Sequence, residues 1–244
     1  MLREIQKEGF MRILFFSLIL GFTSVTFSRP TEGQRLLNQA IMSNDVSTVK
    51  QTLQLRFDIN EKSEQGLYPI HVASKKDVKD EILELLLKAG ANPNLQNGLG
   101  QTPLHLALLE NSTHKVDLLL KAQANPSIAD RRGNTALHLA AENNTSGEIK
   151  ILLASSQVKI DLRNDRGYTA LMLACLRFHP SPESVEALLK AGADRTILQF
   201  GRFTAQDFAE GMRDYFKKNP ERFALELEAQ EKIVKYFSLF DAKF

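Results

Sequence analysis

The sequence has no tryptophan and a single cysteine, Cys175, among 244 residues. One thiol cannot close an internal disulfide, and it rules out a multi-cysteine metal site. Flanked by Leu173, Ala174 and Leu176, Cys175 reads as a small buried hydrophobe. A nucleophilic thiol needs a basic or histidine partner, and His179 is only a neighbour in sequence. An excess of one charge is missing too. The 31 basic and 29 acidic side chains leave a net charge of +2, so no global field favours nucleic acid or a membrane surface as main partner. Gly-x-Ser-x-Gly, a Walker loop, His-Glu-x-x-His and Cys-x-x-Cys are all lacking. What remains is an ordinary globular balance, 43% apolar and 25% charged, long enough for one or two domains.

Long apolar runs are absent after residue 30, which makes the first thirty residues stand out. Arg3, Lys7 and Arg12 precede "ILFFSLILGF", and small residues follow. A basic start, a short apolar run and a small-residue site is the order of a secretory signal. Ser28 and Thr26 suit positions −1 and −3 of cleavage before Arg29, and Met11 offers an alternative start. The rival is a retained membrane anchor, but Ile13 to Phe27 is shorter than the ~20 apolar residues a spanning helix needs. The expectation is a signal peptide over residues 1–28 and a periplasmic or secreted chain beyond it.

That chain repeats itself. Gly33, Gly66, Gly100, Gly133 and Gly167 stand 33, 34, 33 and 34 residues apart, and each is followed seven residues later by an alanine. "GQTPLHLALLEN" at 100–111 returns as "GNTALHLAAENN" at 133–144. A second word, "LLLKAGANPN", "LLLKAQANPS" and "ALLKAGADRT", recurs in register. Fixed periods of this size mean stacked units, none of which can bury its apolar face alone. Turn glycines accept positive φ. Thr102 and Thr135 suit helix N-caps, and Pro69 and Pro103 a first helical turn.

These words resemble the ankyrin repeat: a turn, Thr-Pro-Leu-His-x-Ala, two short antiparallel helices, then Gly-Ala-Asp/Asn. The resemblance covers nearly everything after residue 30. It implies an all-α repeat solenoid of about six repeats, 31–63, 64–97, 98–130, 131–164, 165–199 and 200–220, within a domain spanning 29–220. A C-terminal capping helix would occupy 221–244. It also implies that His71, His105 and His138 recur as architecture, each bonded to the adjoining turn. A catalytic or metal-binding ladder is disfavoured because no carboxylate or cysteine partners recur with them. His114 and His179 are expected at exposed turns between helices.

The departures carry their own expectations. Arg56 and Gln123 replace glycine at helix ends, at a cost of up to ~1 kcal/mol each if φ is positive there. Asn38 stands in the first histidine's place, and Arg202, Gln206 and Asp207 fill the glycine, leucine and histidine positions of the last repeat. Polar ends suit capping repeats. Phe223, Leu225, Leu227, Ile233, Val234 and Phe237 should pack the terminal helix. Lys159 lengthens one loop by a residue, and Pro180 and Pro182 should break helix register in "HPSPES".

Function follows from the resemblance rather than from any catalytic motif. The expected role is a non-enzymatic protein–protein interaction module, with no catalytic residues, no cofactor and no bound metal. The family makes its contacts at hairpin tips and first-helix ends. Carried onto this chain, the first half of that surface is mixed, with Lys75, Lys76, Leu99, Gln101, Leu109 and Glu110. The second half gathers Arg131, Arg132, Asn134, Arg163, Arg166, Tyr168, Arg177, Phe200 and Phe203. Arginine and aromatic side chains are those enriched at protein hot spots. The other reading of the row is a set of solvated loop arginines, partly neutralised by Asp130 and Asp165. The expected partner is a protein with an acidic surface bound by a monomer, with no nucleic acid and no membrane contact beyond an N-terminal anchor. The alternatives are a secreted bacterial effector acting on a host protein, or an anchored scaffold if the leader stays.

Overall fold

A computed structural model describes residues 30–55, 57–62 and 68–241. The leader, its cleavage site, Arg56 and Gly66 lie outside the described residues. Twelve helices occur among those described, and they come in pairs. The pairs are α1 (Pro30–Met42) with α2 (Val46–Thr52), α3 (Pro69–Ala73) with α4 (Asp80–Lys88), and α5 (Pro103–Leu109) with α6 (Thr113–Lys121). Then come α7 (Ala136–Glu142) with α8 (Ser146–Leu153), α9 (Ala170–Cys175) with α10 (Pro182–Lys190), and α11 (Ala205–Lys217) with α12 (Ala224–Asp241). Within each pair the helices pack on each other. First helices stack on first helices, second on second, and one apolar core runs through the stack. No described helix is long and apolar enough to cross a membrane.

The core is built from the recurring words. Ala73, Ala107, Ala140 and Ala174 are buried in the first helices, where a small side chain lets neighbouring helices approach. Ile82, Leu86, Val116, Leu119, Ile149, Leu152, Val185 and Leu188 fill the second row. Each buried aliphatic side chain contributes about 1.5–3 kcal/mol relative to exposure. A repeat taken out of the stack would leave two such faces in water, so adjacent repeats must fold together.

Between repeats the chain makes a hairpin whose tip is set by a left-handed glycine. Gly100, Gly133 and Gly167 have φ of +75°, +74° and +75°. A Cβ on Gly100 or Gly133 would stand 2.8 or 2.7 Å from the backbone of the next tip, so these positions need glycine for space as well as for φ. Gly33 departs from the expectation: it lies inside α1, and a Cβ there would stand 3.0 Å from the Phe57 ring. It is glycine for close packing, not for a turn.

Other differences have local causes. Gln123 adopts φ +63°, in the place where Gly90 and Gly192 have +91° and +88°, so the expected strain is present. Pro182 starts α10 behind the N-cap Ser181 instead of breaking a helix, because a first-turn proline lacks only an N–H that had no intrahelical partner. His114 sits in the first turn of α6, not in a turn between helices, though it is exposed as expected. Leu225 is 79% exposed and lies outside the core, whereas Phe223, Ile233 and Phe237 are buried. The terminal helix α12 packs on α11 and α10, the place of a second helix in the last repeat.

Two buried polar residues lock the stack. Lys115 of α6 is 1% exposed, yet its ammonium donates to the carbonyls of Ala73 (3.0 Å), Val78 (2.6 Å) and Lys75. It collects the end of α3 and the loop beyond, with Asp80 at 3.8 Å. Burial pulls its pKa down, but three accepting carbonyls require the protonated form. At the far end, fully buried Gln230 donates to the carbonyls of Ala209 (2.9 Å) and Cys175 (3.3 Å).

Candidate interaction surface

The histidines are the first test of what the repeats do. His105 Nε2 lies 3.0 Å from the Asn134 carbonyl of the next repeat, and His138 Nε2 lies 2.9 Å from that of Tyr168. His71 reaches the Gln101 carbonyl at 2.9 Å. A carbonyl only accepts, so each Nε2 carries the proton and Nδ1 is an acceptor. In α5 the Thr102 N–H and hydroxyl converge on His105 Nδ1 at 3.2 and 2.7 Å, closing a capping box. Thr135 and His138 repeat it at 3.2 and 2.8 Å. Repeat 2 has Tyr68 at that cap, and His71 Nδ1 is buried with no hydrogen-bond partner. Burial lowers the pKa of all three rings.

Neutral imidazoles with both nitrogens committed, as in His105 and His138, are ties between layers. No group of three His, Cys, Asp or Glu able to hold a metal occurs among the described residues. Cys175 is fully buried, and burial raises its pKa, which makes it inert rather than nucleophilic.

The hairpin tips are braced by a second repeated device. Asn97, Asp130 and Asn164 each turn Oδ1 onto the N–H groups two and four residues ahead, at 2.8–3.0 Å. Tip joins tip through Arg131 N–H to the Leu99 carbonyl and Asp165 N–H to the Arg132 carbonyl, both 3.0 Å. Gln199 Nε2 donates to the Arg166 carbonyl at 3.0 Å. Backbone spacing fixed in this way holds the tip side chains on one rigid edge.

The nine residues expected at the partner surface divide by burial. Arg131, Arg132, Arg163, Arg166, Phe200 and Phe203 are exposed on successive tips. Asn134 is buried; its carbonyl receives His105 and its Oδ1 accepts from Asn164 Nδ2 at 2.9 Å. Tyr168 is half-buried with its ring 5.7 Å from that of Phe208, so it supports the surface more than it forms it. Arg177 is half-buried at the other end of α9, away from the tips, and its Nε has no partner. Exposed on the last tip as well are Arg202, which stands at a glycine position of the repeat, and Leu198, which carries no sequence signal.

A cleft of about 300 Å³ lies between the fourth and fifth tips, lined by Arg132, Asn134, Glu142, Asn164, Asp165, Arg166, Tyr168 and Leu173. The side chains of Arg131, Arg132, Arg166 and Arg202 make no ion pair or hydrogen bond among the described residues. Arg163 makes only a 3.5 Å contact with the Leu198 carbonyl. On the last tip Leu198, Phe200 and Phe203 are 41%, 67% and 48% exposed.

Comparison with known proteins agrees with this architecture. The family model of ankyrin repeats in three copies matches residues 37–130 and 116–198, more than half of the chain. The chain belongs to the ankyrin-repeat family. It is 37% identical over 82 residues to the human 2-5A-dependent ribonuclease, covering 33% of this chain but 11% of that protein. The chain spans only 11–16% of the length of the curated relatives it matches. Among solved structures, the ankyrin repeat protein EF0377 superposes with TM-score 0.70 and 28% identity, covering 86% of this chain and 98% of that one. A chain of the complex between the predatory endopeptidase Bd0816 from Bdellovibrio bacteriovorus and the immunity protein Bd3460 superposes with TM-score 0.64 and 27% identity. That match covers 81% of this chain and 97% of the other. Repeats of this family are generally protein-interaction modules.

Proposed function

We propose that this protein is an exported, non-enzymatic binding protein that holds a partner protein against the hairpin tips of repeats 4 to 6. The observation that carries the reading is the row of Arg131, Arg132, Arg166 and Arg202. These four guanidinium groups form no ion pair among the described residues, and Arg166 and Arg202 lie on the last two tips with exposed Phe200, whose ring rests on Gly167. Cations left without partners on a rigid edge await charges from outside, and aromatic side chains next to them supply apolar area at low entropic cost. The similarity to a chain of an endopeptidase–immunity protein complex supports a role in binding another protein. Export rests on the leader pattern of residues 1–28 alone.

The test is affinity capture from the native source with purified protein as bait, comparing tip variants with controls on the second helices. Arg131→Glu with Arg132→Glu should slow association, most at low salt, where screening is weakest. Lys88→Glu and Lys121→Glu change exposed residues of α4 and α6 and should leave capture intact. Capture lost in the controls and kept in the tip variants would move the function to the opposite face. N-terminal sequencing of native protein tests export separately. A start near Arg29 is expected; a Met1 or Met11 terminus on cytoplasmic protein would refute it.

A further inference from the structure

Phe200 occupies a backbone conformation that disfavours it. In the tips of repeats 3, 4 and 5 the left-handed residue is a glycine three residues after the bracing Asn or Asp. The last tip keeps the same closing bond, Gln199 N–H to the Phe203 carbonyl at 2.8 Å, but its turn differs. Phe200 has φ +46° and Gly201 has +75°, two consecutive left-handed residues under an Arg202 N–H to Gln199 carbonyl bond of 3.0 Å. That is the pattern of a type I′ turn, whose first central position favours Asn, Asp or Gly. A phenylalanine there clashes through its Cβ and has no side-chain acceptor to compensate.

The fold receives little in exchange. The ring is 67% exposed and rests on Gly167, 3.3 Å from where a Cβ would stand. A bulky aromatic kept in a costly conformation, with most of its surface in water, points to a use outside the fold. Its surroundings indicate the chemistry of that use. Exposed Leu198 and Phe203 extend the apolar area, and Arg166 and Arg202 flank it with no ion pair among the described residues.

We propose that Phe200 is the specificity-determining anchor of the surface. The partner segment it takes is an acidic one: a single large apolar side chain seated against Phe200, flanked by carboxylates that meet Arg166 and Arg202. This rests on the tip-surface reading above and narrows it to a partner chemistry.

The anchor has an unusual signature, because stability and binding should move in opposite directions. Phe200→Asn keeps a residue suited to the left-handed region and removes the ring, so it should melt no lower than the parent. Phe200→Ala removes the ring and keeps the strain, and should melt below Phe200→Asn. Binding is read on an array of short peptides carrying Leu or Phe between Asp and Glu residues. The control peptides replace the acids by Gln or the apolar residue by Ser. Signal should be confined to the acid-flanked apolar set and fall about tenfold or more in Phe200→Asn and in Arg166→Glu with Arg202→Glu. A Phe200→Asn melt well below the parent would make the ring a fold element and overturn the proposal. An array without acid-and-apolar selectivity would overturn it too, as would tighter binding to anionic lipid vesicles than to any peptide. If tip charge reversal abolishes capture from the native source while the array shows no selectivity, the partner chemistry alone is wrong. If capture survives both changes, the tip surface is wrong as well.

Discussion

Replacing His105 by alanine tests whether the recurring histidines are ties between layers. The change removes the Nε2 bond to Asn134 and leaves the Thr102 N–H and hydroxyl without their acceptor, in a site where Thr102 and His105 are each 1% exposed. At about 1 kcal/mol per bond, with a further ~1–3 kcal/mol for donors left buried and unpaired, the loss is roughly 2–4 kcal/mol. His71→Ala should cost about half of that, because His71 has one such bond and its Nδ1 is already without a partner. The loss should also depend on pH. Burial lowers the His105 pKa, so the folded protein keeps the ring neutral while the unfolded chain binds a proton below about pH 6.5. Its contribution is complete above that ordinary value and declines as pH falls towards the folded value, by up to about 1.4 kcal/mol per pH unit. Urea melts of parent and variant near pH ~7.5 and ~5.5 would therefore show a gap that narrows with acid. A gap that stays constant or widens would refute the neutral, carbonyl-bonded histidine. So would a chelator that destabilises the parent.

Two other perturbations follow from the backbone and the core. Gln123→Gly should raise stability by about 0.5–1 kcal/mol in denaturant melts, since φ at that position is +63° and glycine adopts it without a Cβ clash. Lys115→Met should lower stability by about 3 kcal/mol or more, because the carbonyls of Ala73, Lys75 and Val78 would lose their shared donor inside the stack. A Lys115→Met protein melting like the parent would show that water replaces the ammonium freely.

The sequence made the stack legible because each layer needs the same side chains in the same places. Gly100, Gly133, Thr102, Thr135, His105 and His138 recur for reasons that act within one repeat and its neighbour, so spacing alone reveals them. What stayed hidden depends on contacts between distant segments or on a shift of one residue. Lys115 looks like any helix-surface lysine until its reach to carbonyls 37–42 residues earlier is known. Leu225 fits an apolar pattern but falls on the outer side of the last helix. Of the candidate surface, the arginines were readable from tip spacing. The burial of Asn134 and the support role of Tyr168 were not, since both arise from pairing with the next repeat or beyond. Arg202 was missed because the last turn places its glycine at 201, one position earlier than the repeat pattern implies.

The most direct measurement of the central claim is site-specific photocrosslinking in the native source. A photoreactive side chain is placed in turn at Arg131, Phe203, Lys88 and Lys121, all exposed and none in the core. The adducts are identified by mass spectrometry. The tip surface predicts one recurring partner protein attached at Arg131 and Phe203 and absent from Lys88 and Lys121. Adducts formed only at Lys88 and Lys121 would contradict it and place the interaction on the second-helix face.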